Sequence, residues 1–300
     1  MKRRAFLQSS VGAIASAVAV ERMNLAAGKV RLITRGDDLG CARSLNRAVQ
    51  ECYKKGILKN VSVLAASPYV EEAAKLLAKE KGICFGLHTD LTSEWDNVKW
   101  GPVAGREQVP SLVDGKGYLY QTNDGVRANA KSDEALVELQ AQLDKLRKLG
   151  FDIRYADTHM GTIQIVPGLP DKFGEWCRKN RLIDTRRIGG RLKLPAASPE
   201  DRKHPGDYVA DVMNALKTAA DGEYLIVGHL AYDDAEIRNL GHPGYPGTAV
   251  AHNLNWERLA YVDPRMLKFV RETGVQPIRY DETDAAREQV KAFSATASIK

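Results

Sequence analysis

Four short apolar runs in this chain each end in a carboxylate or an imidazole, and helix-like segments separate them. Val30 to Ile33 leads into Asp37-Asp38, Ile83 to Leu87 into His88, Phe151 to Ala156 into Asp157-Thr158-His159, and Glu223 to Gly228 into His229. Short apolar runs bounded by turn signals read as buried strands, and helices between them call for parallel strands with crossover connections. Parallel strands present their functional side chains at their C-terminal ends, so closing the sheet would gather these residues on one face. The expected fold class is α/β, a parallel (β/α) barrel-like single domain.

The intervening segments have helical spacing. Ser44 to Lys55 carries Leu45, Ala48, Val49 and Cys52 on one face and stops at Gly56, and Ser67-Pro68 opens a helix with Val70, Ala73, Ala74 and Leu77. Leu136, Leu139, Leu143 and Leu146 form one stripe between Asp133 and Leu149, closed by Gly150. Further helices are expected over Pro170–Lys179, Asp207–Ala220, Asp263–Thr273 and Asp281–Phe293. Strands are expected at Val61–Ala65, weakly at Arg181–Thr185, and at Val275–Tyr280. Thr89 to Lys131 breaks the rhythm, being far longer than an ordinary βα connection and holding Trp95, Trp100, Tyr118 and Tyr120. Those rings either meet the apolar faces of sugar rings or pack the loop onto the barrel.

The N-terminus has the layout of an export signal. Lys2, Arg3 and Arg4 precede an apolar run from Val11 to Val20, too short to span a bilayer comfortably, with Ala17-Val18-Ala19 as a small-residue cleavage site. The Arg pair followed by Phe6 and Leu7 looks like a twin-arginine signal, which makes residues 1–27 a signal peptide and leader, 28–293 the folded domain and 294–300 a tail. The expected location is periplasmic or secreted, with no membrane span after cleavage. Loss of Lys2, Arg3 and Arg4 takes the formal charge from +6 to about +3, and no basic tract with interleaved aromatics argues for a nucleic-acid partner. Cys41, Cys52, Cys84 and Cys177 lack metal-binding or redox spacing and are expected as buried thiols.

The chemistry concentrates at the strand ends. Two adjacent carboxylates in the glycine-flanked turn Gly36-Asp37-Asp38-Leu39-Gly40 repel each other unless a cation or a shared proton compensates. Asp38, His88 and His159 each stand at or just beyond a strand end, and two neutral imidazoles with one carboxylate suit a divalent metal with positions left open. Zn²⁺ fits that donor set, and an open, water-rich version could hold Mg²⁺.

Taken together, Gly36-Asp37-Asp38-Leu39-Gly40, Asn46, Gly86-Leu87-His88-Thr89-Asp90-Leu91-Thr92, Val109-Pro110-Ser111-Leu112-Val113-Asp114, Asp157-Thr158-His159 and the late His229 resemble the YdjC-like family of metal-dependent carbohydrate deacetylases, which includes chito-oligosaccharide deacetylases. The resemblance runs in order from Val30 to Tyr280. It implies a barrel-like fold, Asp38, His88 and His159 as ligands of one divalent ion, Asp37 as catalytic base, and an acetylated sugar or oligosaccharide as substrate. The chain departs from the family at Leu39, where Phe is usual, and at Met160-Gly161-Thr162-Ile163, where further histidines are usual. The family's late His-Pro-Gly is represented by His229-Leu230-Ala231 or by His242-Pro243-Gly244. His229, which follows directly on a strand, is the favoured proton donor to the leaving group. The expected activity is metal-dependent hydrolysis of acetyl groups from a carbohydrate. Alternatives are hydrolysis of another ester or amide, or glycan binding without turnover. A homodimer is compatible with the sequence.

Overall fold

A computed structural model describes residues 30–194 and 204–297, so the expected leader and the last three residues of the expected tail lie outside the described residues. The first half alternates as expected: β1 (Val30–Leu39), α1 (Arg43–Lys55), β2 (Asn60–Val63), α2 (Val70–Leu77) and β3 (Cys84–Thr89). After the long connection come α3 (Asn123–Asn129), α4 (Ser132–Lys148), β4 (Ile153–Thr158), α5 (Thr162–Ile165), α6 (Leu169–Lys179), β5 (Ile183–Asp184) and β6 (Gly190–Arg191). The last part holds α7 (Pro205–Thr218), β7 (Gly222–Gly228), α8 (Ala235–Arg238), α9 (Gly247–Val262), α10 (Pro264–Thr273), β8 (Gln276–Ile278) and α11 (Asp284–Ala297).

Every strand pair is parallel, in the order β5-β4-β3-β2-β1-β7-β6, which makes a curled, barrel-like sheet with helical crossovers. No ladder joins β5 to β6 among the described residues. β1 is the longest strand and the hub. Its first half pairs with β8 and its second half with β2 on the same edge, while β7 runs along the other. Where β8 gives way to β2, the backbone would be left unpaired, and the buried Asn60 fills the notch. Its Nδ2 donates to the carbonyls of Thr34 and Ile278 at 3.0 Å each, and its Oδ1 accepts from Tyr280 N at 2.7 Å.

Strand alternation sorts the side chains into two environments. On the outer face, Leu32, Val61, Val63, Phe85, Leu87 and Ala156 join the helices in the main core. Inside the curl, Ile33, Cys84, Tyr155, Ile183, Ile278 and Tyr280 form a second apolar cluster. Two residues above Ile33 comes Arg35, two above that Asp37, and His88 and Asp157 follow the same parity on β3 and β4. The interior therefore changes from apolar to ionic toward the strand C-termini. Gly86 makes room for this layering: a Cβ there would stand 2.0 Å from the Tyr155 ring, whose hydroxyl hydrogen-bonds Ser62 Oγ at 2.9 Å.

Several local readings are corrected. Asp37 and Asp38 do not follow the strand in a turn, because β1 continues through them to Leu39. α9 was not anticipated: Val250, Ala251, Leu254, Trp256, Ala260 and Tyr261 bury it on several sides, so its sequence carries no one-sided apolar stripe. The two-residue β6 and the seven-residue α3 are too short to leave a periodic signal. The last helix starts later and runs further than expected, to Ala297. All four cysteines are free and buried, as their spacing indicated. None of the described helices is long and apolar enough to cross a membrane.

Candidate metal centre

Alternation should send Asp37 and Asp38 to opposite faces of the sheet. The pairing of β1 with β2 slips between Gly36 and Leu39, and Asp38 takes a left-handed φ of 62°, so a bulge turns both carboxylates toward the interior. The turn that follows is pinned from α1. Gly40 N donates to Asn46 Oδ1 at 2.9 Å, and Asn46 Nδ2 donates to Tyr69 O at 3.1 Å. Gly40 has φ +106°, and a Cβ there would meet Ser67 Oγ at 2.6 Å, so no side chain fits.

His88 is the penultimate residue of β3 and His159 follows β4, and both are buried. Carboxylates hold the Nδ1 atom of each ring. His88 Nδ1 lies 2.9 Å from Asp157 Oδ2, and His159 Nδ1 lies 3.2 Å from Asp90 Oδ1 and 3.0 Å from Thr92 Oγ1. An imidazole whose Nδ1 hydrogen is engaged in this way presents the Nε2 lone pair. The two Nε2 atoms lie 3.3 Å (His88) and 3.8 Å (His159) from Asp38 Oδ1, and the ligating atoms of Asp38, His88 and His159 all fall within 4.8 Å of one another. Asp38 Oδ1 is buried and accepts no hydrogen bond. Two lone pairs and an orphaned carboxylate oxygen converging without a donor are what a cation resolves, so this cluster could hold a metal ion.

A second group, Asp37, His88 and Asp157, also meets the spacing for a metal. It already has its cation. Arg35 Nε is 2.6 Å from Asp37 Oδ1, its Nη2 donates to Asp37 Oδ2 at 2.7 Å, and its Nη1 is 3.0 Å from Asp157 Oδ2. Among the described residues, Asp38 of the first donor set has no arginine or lysine partner and pairs only with histidines.

The electrostatics follow from this surplus of carboxylate. Burial works against charge on His88, but Asp157 and Asp37 outweigh it and push the ring up to about 10. His159 is likewise raised despite its burial, by Glu94 and Asp90. Burial alone would raise both aspartates, yet Asp37 is held low by Arg35 and His88, and Asp38 by the imidazoles of His88, His229 and His159. A proton and a metal ion compete for the same Nε2 lone pairs, and the same carboxylates attract either.

His229, the residue after β7, sits beside the cluster with Nε2 4.0 Å from Asp38 Oδ2. Glu257 on α9 holds it, accepting from His229 N at 2.6 Å and lying 3.2 Å from Nδ1. Burial opposes charge on this ring, but the hydrogen bond and charge of Glu257 raise it to about 9. His242 is placed apart, at the rim, with Nδ1 2.9 Å from Pro243 O and its ring stacked on Trp95 at 6.1 Å. Both face a cleft of about 510 Å³ lined also by Asp37, Asp38, His88, Glu94, Met160, Arg191 and Tyr245. Of the aromatic residues in the long connection, Trp100 is a packing residue, buried with Nε1 donating to Asp90 Oδ2 at 2.7 Å, whereas Trp95 forms part of the cleft wall.

The structure thus brings together Asp37, Asp38, His88, His159 and His229, and leaves His242 outside the cluster. Sequence reading missed Arg35, Glu94 and Glu257. Arg35 offered one signal, a charge two residues before Asp37, just after an apolar run. Glu94 and Glu257 offered none, since a loop and an unforeseen helix bring them in.

The YdjC-like protein family model matches residues 31–272, from β1 through α10. The chain belongs to the YdjC-like family. Among relatives, a carbohydrate deacetylase of Thermoanaerobacter pseudethanolicus is 26% identical over 255 residues, covering 83% of this chain and 97% of the relative. A carbohydrate deacetylase of Mus musculus is 27% identical, covering 86% of this chain and 96% of the relative. Among solved structures, a candidate cellobiose-phosphate cleavage protein from Enterococcus faecalis V583 superimposes with a TM-score of 0.65 at 21% identity, over 84% of this chain and 97% of that one. That likeness shows a shared fold.

Proposed function

We propose that this YdjC-like protein removes acetyl groups from a carbohydrate by metal-dependent hydrolysis. The observation that carries this reading is the meeting of Asp38 Oδ1 with the Nε2 atoms of His88 and His159, in a cleft that also holds Asp37 and His229. Relatives named carbohydrate deacetylase along nearly their whole length support the substrate class.

Asp38, His88 and His159 would hold the ion, with Asp157 and Asp90 fixing the two rings. The chemistry a divalent ion supplies there is Lewis acidity, which lowers the pKa of water and polarises an acyl carbonyl. Asp37, kept ionised and oriented by Arg35, accepts the proton of the attacking water. Its neighbour Asp38 is free of Arg35, so the two adjacent carboxylates divide the labour by environment. His229, protonated at neutral pH through Glu257, gives its proton to the leaving nitrogen or oxygen as the acyl bond breaks. The products are acetate and the freed amine or alcohol.

The donor set fits Zn²⁺, and Mg²⁺ is the alternative for a wetter site. The Arg3-Arg4 leader supports export to the periplasm or beyond. The test is acetate release from a panel of N- and O-acetylated mono- and oligosaccharides, with chelator and after adding back each metal. Chelator-sensitive release is expected. Tight sugar binding without acetate under any metal would show a binding protein instead.

A further inference from the structure

Four carboxylates line the cleft and two more, Asp157 and Asp90, hold its histidines, and four of these six have a protein donor. Asp37 and Asp157 take Arg35, Asp90 accepts from Trp100 Nε1 and Thr92 N, and Glu257 accepts from His229 N. The other two are Asp38 and Glu94. Among the described residues, neither side chain accepts a hydrogen bond, and each has a buried oxygen without a partner, Oδ1 of Asp38 and Oε2 of Glu94. Glu94 is 6% exposed and faces the cleft.

These two carboxylates flank the same nitrogen. His159 Nε2 is 3.8 Å from Asp38 Oδ1 and 3.5 Å from Glu94 Oε1. Asp90 and Thr92 occupy the other ring nitrogen, so Nε2 is the atom that faces both carboxylates. Burying an ionised carboxylate without a partner is costly, so a residue in this position needs a cation or a donor from outside the chain. Glu94 lies outside the group whose ligating atoms all fall within 4.8 Å of one another, and approaches such a cation from the His159 side.

We propose that Glu94 is a further member of the cation-binding set, a second carboxylate acting with Asp38 on the ion held by His88 and His159. This rests on the metal-centre reading above. Two imidazoles and two carboxylates are a hard donor set, and with positions left open to water they favour ions that accept five or six ligands. It leaves Asp37 free for its proton.

The test uses the full chain, stripped with EDTA and titrated with Zn²⁺, Mn²⁺ and Co²⁺ by calorimetry, as wild type, Glu94→Gln and Glu94→Ala. Thermal melts without metal control for folding. The expected result is a Kd at least tenfold weaker in both variants, with the largest loss for Mn²⁺. The Co²⁺ visible bands should also intensify in the variants as the coordination number falls. Affinities within twofold of wild type with an unchanged Co²⁺ spectrum would overturn the role of Glu94 while leaving the metal centre standing. A wild-type chain that binds none of the three ions would overturn both.

Discussion

Arg35 grips Asp37 with two contacts, Nε to Oδ1 at 2.6 Å and Nη2 to Oδ2 at 2.7 Å, from two residues earlier on the same strand. The same guanidinium reaches Asp157 Oδ2 at 3.0 Å and Tyr280 Oη at 3.2 Å. One buried cation therefore serves both the candidate base and the carboxylate that orients His88. Without Arg35, two buried carboxylates would lose their counterion, which costs about 3–5 kcal/mol. Arg35→Met should lower the unfolding free energy by about that amount in urea titrations. Arg35→Lys, which keeps the charge but not the two-pronged geometry, should lose less stability and still lower kcat. An Arg35→Met chain as stable as wild type would show that the pair carries no net stabilisation.

Asp37 and Asp38 are neighbours with different surroundings, and substitution should separate them. Asp37→Asn is expected to keep its metal, measured by elemental analysis, and to release acetate about 10²- to 10⁴-fold more slowly. Asp38→Asn should lose both. Loss of metal from Asp37→Asn would make Asp37 a ligand and leave the base unassigned.

The proton donation proposed for His229 would matter only when the departing group needs a proton. His229→Gln should slow acetate release from an N-acetyl sugar by about 10²-fold or more. An activated aryl acetate, whose phenolate leaves unaided, should be cleaved within a few fold of the wild-type rate by the same variant. Equal losses on the two substrates would instead place His229 in binding.

The four thiols should be silent in the native chain. Burial pushes Cys84 up to about 12, and burial likewise raises Cys41, Cys52 and Cys177. The reactive thiolate forms only as pH rises through those raised values, whereas unfolded cysteine ionises near about 8.5. The stability carried by the neutral thiols is thus complete below about 8.5 and is lost as pH climbs toward the folded values. Iodoacetamide at pH 8 is expected to label none of the four under native conditions and all of them in guanidinium, read by intact-mass spectrometry.

The sequence by itself determined the alternation of strands and helices, because runs such as Ile83–Leu87 and the leucine stripe of α4 record burial through local periodicity. It also placed a polar residue at or near each of these strand ends, since His88 and His229 directly follow apolar runs, Asp38 and His159 come a few residues after theirs, and parallel strands share a direction. Only the tertiary structure decided how those ends combine. The bulge at Asp38 depends on the pairing of β1 with β2, and the grip on each ring depends on contacts between distant positions, Asp157 with His88 and Asp90 with His159. Glu94 and Glu257 enter from a loop and from a helix buried on several sides, where local pattern holds no record of what lies across the cleft. Periodicity registers which face of a segment meets the core; the partner of a buried charge is chosen by long-range packing.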